Sequence, residues 1–98
     1  MDRDAILARL RAAEPALRAK GVARLALFGS RARGDDRPDS DIDIMIELAP
    51  EARIGVYRYI DVVQAIEDLF PLPVDVSNVA AQKPHVRPAA ERDAIHVF

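Results

Sequence analysis

Apolar and polar positions along the chain fall into a helix, strand, strand, helix, strand order. From residue 2 to residue 20, Ile6, Leu10, Ala13 and Leu17 recur at i, i+4, i+7 and i+11, one apolar stripe that predicts a helix. Asp2 and Asp4 suit its start, by capping and by dipole, while Arg18 and Lys20 followed by Gly21 suit its end. Pro15, with Glu14 before it, kinks this run or starts a second short helix. Val22, Leu25, Leu27 and Phe28 show little alternation, which predicts a central strand over 22–28 covered on both faces. Residues 42–48 do alternate: Ile42, Ile44, Ile46 and Leu48 share one face, and Asp41, Asp43 and Met45 share the other. Val56, Ile60, Val63, Ile66 and Phe70 predict a helix from about residue 54 to residue 69, stopped by Pro71-Leu72-Pro73. Val74-Asp75-Val76 reads as a short strand with Asp75 facing away from the two valines. Residues 77–82 read as a turn or frayed helical start, and 88–93 as a short helix with Pro88 at its first position. Ala94 to Phe98 read as a final strand or an extended tail packed on the sheet. The elements predict an α/β (α+β) fold, a small sheet of three to four strands flanked by helices.

Composition narrows this. With 98 residues, the chain is expected to form a single domain over 1–98 with a modest core and no separate substrate-binding domain. It has no cysteine, which removes disulfides and thiol chemistry. No apolar run approaches 18 residues, so no membrane span is expected. Met-Asp-Arg-Asp is not a secretory start, and a cytoplasmic location is the default expectation. A formal charge of −2 and a pI near 5.6 speak against gripping a polynucleotide backbone. Arg31, Arg33 and Arg37 do cluster, but among Asp35, Asp36, Asp39, Asp41 and Asp43. A small phosphate ligand fits that mixture better.

The candidate chemistry lies in residues 26–46. Asp41 and Asp43 share a strand face, roughly 6.5 Å apart at Cα. Converging carboxylates repel, and a proton or a cation must compensate. Mg²⁺ takes carboxylate oxygens and keeps positions open for water or phosphate. A lone Asp-x-Asp is more often a solubilising pair, but here Gly29-Ser30 lies upstream. Gly29 permits a sharp turn, Ser30 can cap a short helix, and a helix start offers N–H groups to an anion. If the 74–76 strand lies beside 42–48, Asp75 joins Asp41 and Asp43 on one side.

Gly29-Ser30, ten residues, then Asp41-Ile42-Asp43, set within Phe28-Gly29-Ser30-Arg31-Ala32-Arg33-Gly34 and Ser40-Asp41-Ile42-Asp43, resembles a family signature. It is that of the nucleotidyltransferases related to DNA polymerase beta, and most closely of their minimal branch, which pairs with HEPN-type toxins. Relatives often approach the third carboxylate through Gly-x-x-Val-Asp, whereas this chain has Pro71-Leu72-Pro73-Val74-Asp75, a different turn.

The resemblance implies the DNA polymerase beta-like nucleotidyltransferase fold, with a mixed sheet. It also implies attack of a hydroxyl on the α-phosphorus of ATP, with Asp41, Asp43 and Asp75 as the catalytic and metal-binding residues. Asp41 and Asp43 would hold two Mg²⁺ ions, and Asp75 the one nearer the acceptor. Gly29 and Ser30 would bind the β- and γ-phosphates. Arg31 and Arg33 are further phosphate candidates, although only one can easily face the ligand and both have acidic neighbours to pair with. Tyr57 and Tyr59 could stack on adenine, but packing explains them as well. Arg87 could reach the acceptor side or remain a solvated arginine. His85 and His96 lie too far from any Cys or His cluster for zinc, and His96 reads as a surface residue on an edge. The implied function is AMP transfer to a hydroxyl, a tyrosine in the first place, of a HEPN ribonuclease toxin, as antitoxin within a hetero-oligomer. Two alternatives stand beside it: a non-catalytic antitoxin that occludes the toxin, and transfer to a small hydroxylated molecule.

Overall fold

In a computed structural model, residues 1–34, 40–50, 55–78 and 94–98 are described. The chain runs α1 (Arg3–Ala12), α2 (Glu14–Ala19), β1 (Val22–Phe28), α3 (Ser30–Arg33), β2 (Ile42–Leu48), α4 (Val56–Glu67), β3 (Val74–Asn78) and β4 (Ile95–His96). The four strands form one mixed sheet in the order β3-β2-β1-β4. β1 is antiparallel to both β2 and β4, and β2 is parallel to β3. A parallel pair needs a crossover, and α4 supplies it between β2 and β3.

Pro15 divides the first helical run. Asp2 caps α1 through its Oδ1, which accepts from the Ala5 N–H at 2.8 Å. Pro15 sits in the first turn of α2, where its missing N–H is harmless. The Glu14–Arg18 pair closes over that helix at 2.7 Å, and Arg18 also donates to the Ala23 carbonyl.

β1 is a central strand, and its weak alternation has a second cause. Its register with β2 shifts between Val22 and Arg24, so Val22 pairs with Leu48 while Arg24 pairs with Glu47. The extra residue, Ala23, is a bulge that turns Val22 onto the same face as Leu25 and Leu27. That face is the core: Ile6, Leu7, Leu10 and Leu17 from the first two helices, Val62 and Ile66 from α4, and Ile42, Ile44 and Ile46 from β2 pack together there.

The stripe expected on α4 holds toward its end, where Ile66 and Phe70 join the core, and fails toward its start. Val62 and Ile66 are fully buried, with Tyr59, Ala65 and Leu69 packed against the core, whereas Val56 is 73% and Ile60 56% exposed. The helix is apolar on more than one side, so periodicity permits two phases and the sheet selects one. Residues 77 and 78 continue β3 rather than turning, because the parallel ladder extends through Met45–Ser77 and Ile46–Asn78. The final strand is present as β4, whereas the expected helix over 88–93 lies outside the described residues. No described helix is long and apolar enough to cross a membrane.

Candidate active site

The candidate site forms at one end of the sheet, where β1 finishes and β2 and β3 begin. Phe28 pairs with Asp43, and Asp43 pairs with Asp75 across the parallel ladder. Residues in register on neighbouring strands point to the same face. Ile42 and Val74, the pair just before, belong to the core side. Asp43 and Asp75 therefore stand together on the opposite face, with Asp41 in phase two residues upstream. The Pro71-Leu72-Pro73 approach does not disturb this arrangement: the Pro73 carbonyl accepts from the Ile42 N–H at 2.9 Å and opens the ladder.

Gly29 turns the chain beside these carboxylates. Its φ of +77° and ψ of −158° suit glycine alone. A Cβ built there would run into the Asp43 carboxylate, lying 3.2 Å from its Cγ. The glycine thus serves both the turn and the close approach of the acid. Gly29 also occupies the cap position of α3, and Ser30 is the first helical residue rather than the cap. The strained turn must come at the cap, and only Gly29 tolerates it. The Ala32 and Arg33 N–H groups both return to the Gly29 carbonyl at 3.1 Å.

The two arginines of α3 separate. They lie two residues apart, so about 200° of helical rotation sends them to opposite sides. Arg31 is 2% exposed and donates to the Met1 carbonyl at 3.0 Å and the Ser40 carbonyl at 2.7 Å. In this arrangement it braces the backbone. Arg33 is exposed, and its charge acts on Asp43. No sequence signal distinguished the two beyond their spacing, and nothing in the sequence pointed to the Met1 carbonyl.

Asp43 is the perturbed acid of the site. Its carboxyl is held above the ordinary value of 3.8, first by burial, then by the charges of Asp75 and Asp41, with Arg33 pulling the other way. Asp41 and Asp75 are exposed. Among the described residues, no three His, Cys, Asp or Glu side chains already converge on one metal-binding point. What the register provides is a half-buried carboxylate flanked by two exposed ones, an electrostatic deficit that a cation would relieve.

The residues set aside earlier lie elsewhere. Tyr57 is 90% exposed at the start of α4, the end that follows the far end of β2, and Tyr59 packs on the core. His96 is exposed on the edge strand β4, paired with Ala26. His85 and Arg87 lie outside the described residues.

Comparison with known proteins identifies the family and the fold. The model of the family described as "Nucleotidyltransferase domain" matches residues 10–97. The chain belongs to the nucleotidyltransferase domain family. A Methanocaldococcus jannaschii protein provisionally named a protein adenylyltransferase is 35% identical over 77 residues, 78% of this chain and 77% of its own. A solved structure of a provisionally assigned minimal nucleotidyltransferase superposes with a TM-score of 0.82 at 29% identity, covering 97% of this chain and 95% of that one. A chain from the complex of a tri-AMPylated Shewanella oneidensis HEPN toxin with an MNT antitoxin superposes with a TM-score of 0.62 at 15% identity. It covers 90% of this chain and 68% of that one, a likeness of fold. The four-stranded mixed sheet flanked by helices is the nucleotidyltransferase fold of the DNA polymerase beta type.

Proposed function

We propose that this nucleotidyltransferase transfers AMP from ATP to a hydroxyl, a tyrosine in the first place, of a partner HEPN-type toxin, and thereby acts as its antitoxin. The observation that carries this reading is the pairing of Asp43 with Asp75 beside the Gly29 turn. The M. jannaschii relative bears the name of a protein adenylyltransferase, and the S. oneidensis complex contains an AMPylated HEPN toxin. Both support the choice of nucleotide and acceptor.

The donor set fits Mg²⁺. All three side chains offer hard carboxylate oxygens, and Asp43 is destabilised as an anion by its two acidic neighbours. Asp41 and Asp43 would hold two ions between them, with Asp75 on the acceptor side. When bound, the ions supply neutralising charge at the phosphates and acidify the acceptor hydroxyl. The chain's own residues do the rest. Gly29 lets the backbone approach the polyphosphate, Ser30 lies beside it at the start of α3, and the exposed Arg33 can add a forked bond to phosphate oxygen. The acceptor oxygen bonds to the α-phosphorus while the bond to the bridging oxygen breaks, and pyrophosphate departs. The hydroxyl proton leaves toward the exposed Asp75 carboxylate.

The test uses the full chain, ATP labelled at the α-phosphate, Mg²⁺ and a HEPN protein from the same organism. Covalent AMP on the HEPN protein, lost in Asp41→Asn and Asp43→Asn while the two proteins still bind, is the expected result. Full neutralisation by both variants without any label would instead establish occlusion.

A further inference from the structure

Asp41 lies just outside β2, and two backbone anchors flank it. The Ile42 N–H is held by the Pro73 carbonyl at 2.9 Å. The Ser40 carbonyl is held by the Arg31 guanidinium at 2.7 Å. The same guanidinium donates to the Met1 carbonyl at 3.0 Å, and Arg3 of α1 donates to the Ala32 carbonyl at 3.1 Å. The start of α1, the α3 turn and the segment entering β2 are thereby fastened to one another. A buried guanidinium is costly unless its donors are satisfied; here the two terminal nitrogens each meet a carbonyl, while the buried Nε makes no hydrogen bond to the described residues.

We propose that Arg31 is a positioning residue that fixes Asp41 relative to Asp43 and so sets how tightly the pair takes a divalent cation. The proposal rests on the nucleotidyltransferase reading of the site. Asp41 is the carboxylate that needs such a device. Asp43 is fixed within the ladder by its pairing with both Phe28 and Asp75, whereas Asp41 has no ladder partner. Its direction depends on the backbone on either side of it. The Pro73 contact fixes one side, and Arg31 fixes the other. Groups that orient a ligand without touching the metal typically govern affinity or activity by about 10–100-fold.

The experiment compares wild type, Arg31→Met and Arg31→Lys as full chains. Lysine keeps the charge but loses the two-armed fork. Mn²⁺ affinity is read by electron paramagnetic resonance, binding of a non-hydrolysable ATP analogue is read without metal, and amide hydrogen exchange is followed at residues 40–43 in the metal-free protein. The proposal expects Mn²⁺ binding weakened by about 10-fold or more in Arg31→Met. It also expects faster exchange at residues 40–43, a smaller defect in Arg31→Lys, and metal-free analogue binding within about threefold of wild type. Lower thermal stability with unchanged Mn²⁺ affinity would overturn it, leaving Arg31 a packing residue. Loss of metal-free analogue binding with unchanged Mn²⁺ affinity would overturn it too, making Arg31 a phosphate ligand. If Arg31→Met does not fold, Arg31→Lys decides by the same criteria. Wild type that takes up neither Mn²⁺ nor the analogue, even beside its partner, would remove the reading of the site itself, whereas equal binding by wild type and variants removes only the role of Arg31.

Discussion

At the scale of single residues, Asp43 is held in an unfavourable state for the sake of the site. Burial and two neighbouring carboxylates raise its pKa above 3.8. The folded chain therefore holds this proton more tightly than the unfolded chain does. Stability from this group falls as pH rises from 3.8 through the raised value, and above that value the full cost of the charge is present. Asp43→Asn removes the charge but keeps the shape. Without divalent cation, its melting temperature is expected to gain on wild type across that window and to hold the advantage at neutral pH, in paired thermal melts from acid to neutral pH. A Tm difference that shrinks with rising pH would contradict this. The same substitution is expected to reduce AMP transfer by at least about 10²-fold. Gly29→Ala faces a positive φ and the Asp43 carboxylate together. It is expected to destabilise the fold by about 1–3 kcal/mol in denaturant titrations, the range for a strained backbone.

At the scale of elements, α4 and β2 show opposite degrees of legibility. β2 alternates except at Met45, which is buried on the face it shares with Asp43, and its bounds and its Ile42-Ile44-Ile46 core face follow from period two. α4 carries apolar residues on several sides, so its existence follows from the pattern but its inward face does not. Ile66→Ala is expected to cost about 2–5 kcal/mol, because it empties a site with no exposure. Ile60→Ser, six residues earlier and outward, is expected to change stability by no more than about 0.5 kcal/mol. Urea melts of the two variants check both values. The reverse order would mean that α4 turns its Ile60 side, and not the side carrying Val62 and Ile66, to the core. Arg31 and Arg33 belong to the same lesson. A four-residue helix separates them by angle, but which one turns inward depended on where the Met1 and Ser40 carbonyls lay.

At the scale of the molecule, one end of the sheet carries the acids and the other the start of α4, where Val56, Tyr57 and Ile60 are exposed. The carboxylates repel while empty, so a bound cation stabilises the folded state alone. With Mg²⁺ and a non-hydrolysable ATP analogue at about a hundredfold above Kd, the gain is about 2.7 kcal/mol. For a domain of this size that corresponds to a Tm rise on the order of 10 °C. Differential scanning fluorimetry should show the rise in wild type and little of it in Asp43→Asn. Equal rises in both would place the cation away from Asp43.

The sequence by itself determined the strands over 22–28 and 42–48, the Gly29-Ser30 turn, the alternation that puts Asp41 and Asp43 on one face, and the family signature. These are local matters, set by side-chain period and by the one residue that accepts the turn. Tertiary structure decided the rest: the register that seats Asp75 against Asp43, the bulge at Ala23, the inward face of α4, and the burial of Arg31. Each depends on which backbone from another part of the chain lies opposite, and local pattern cannot report that.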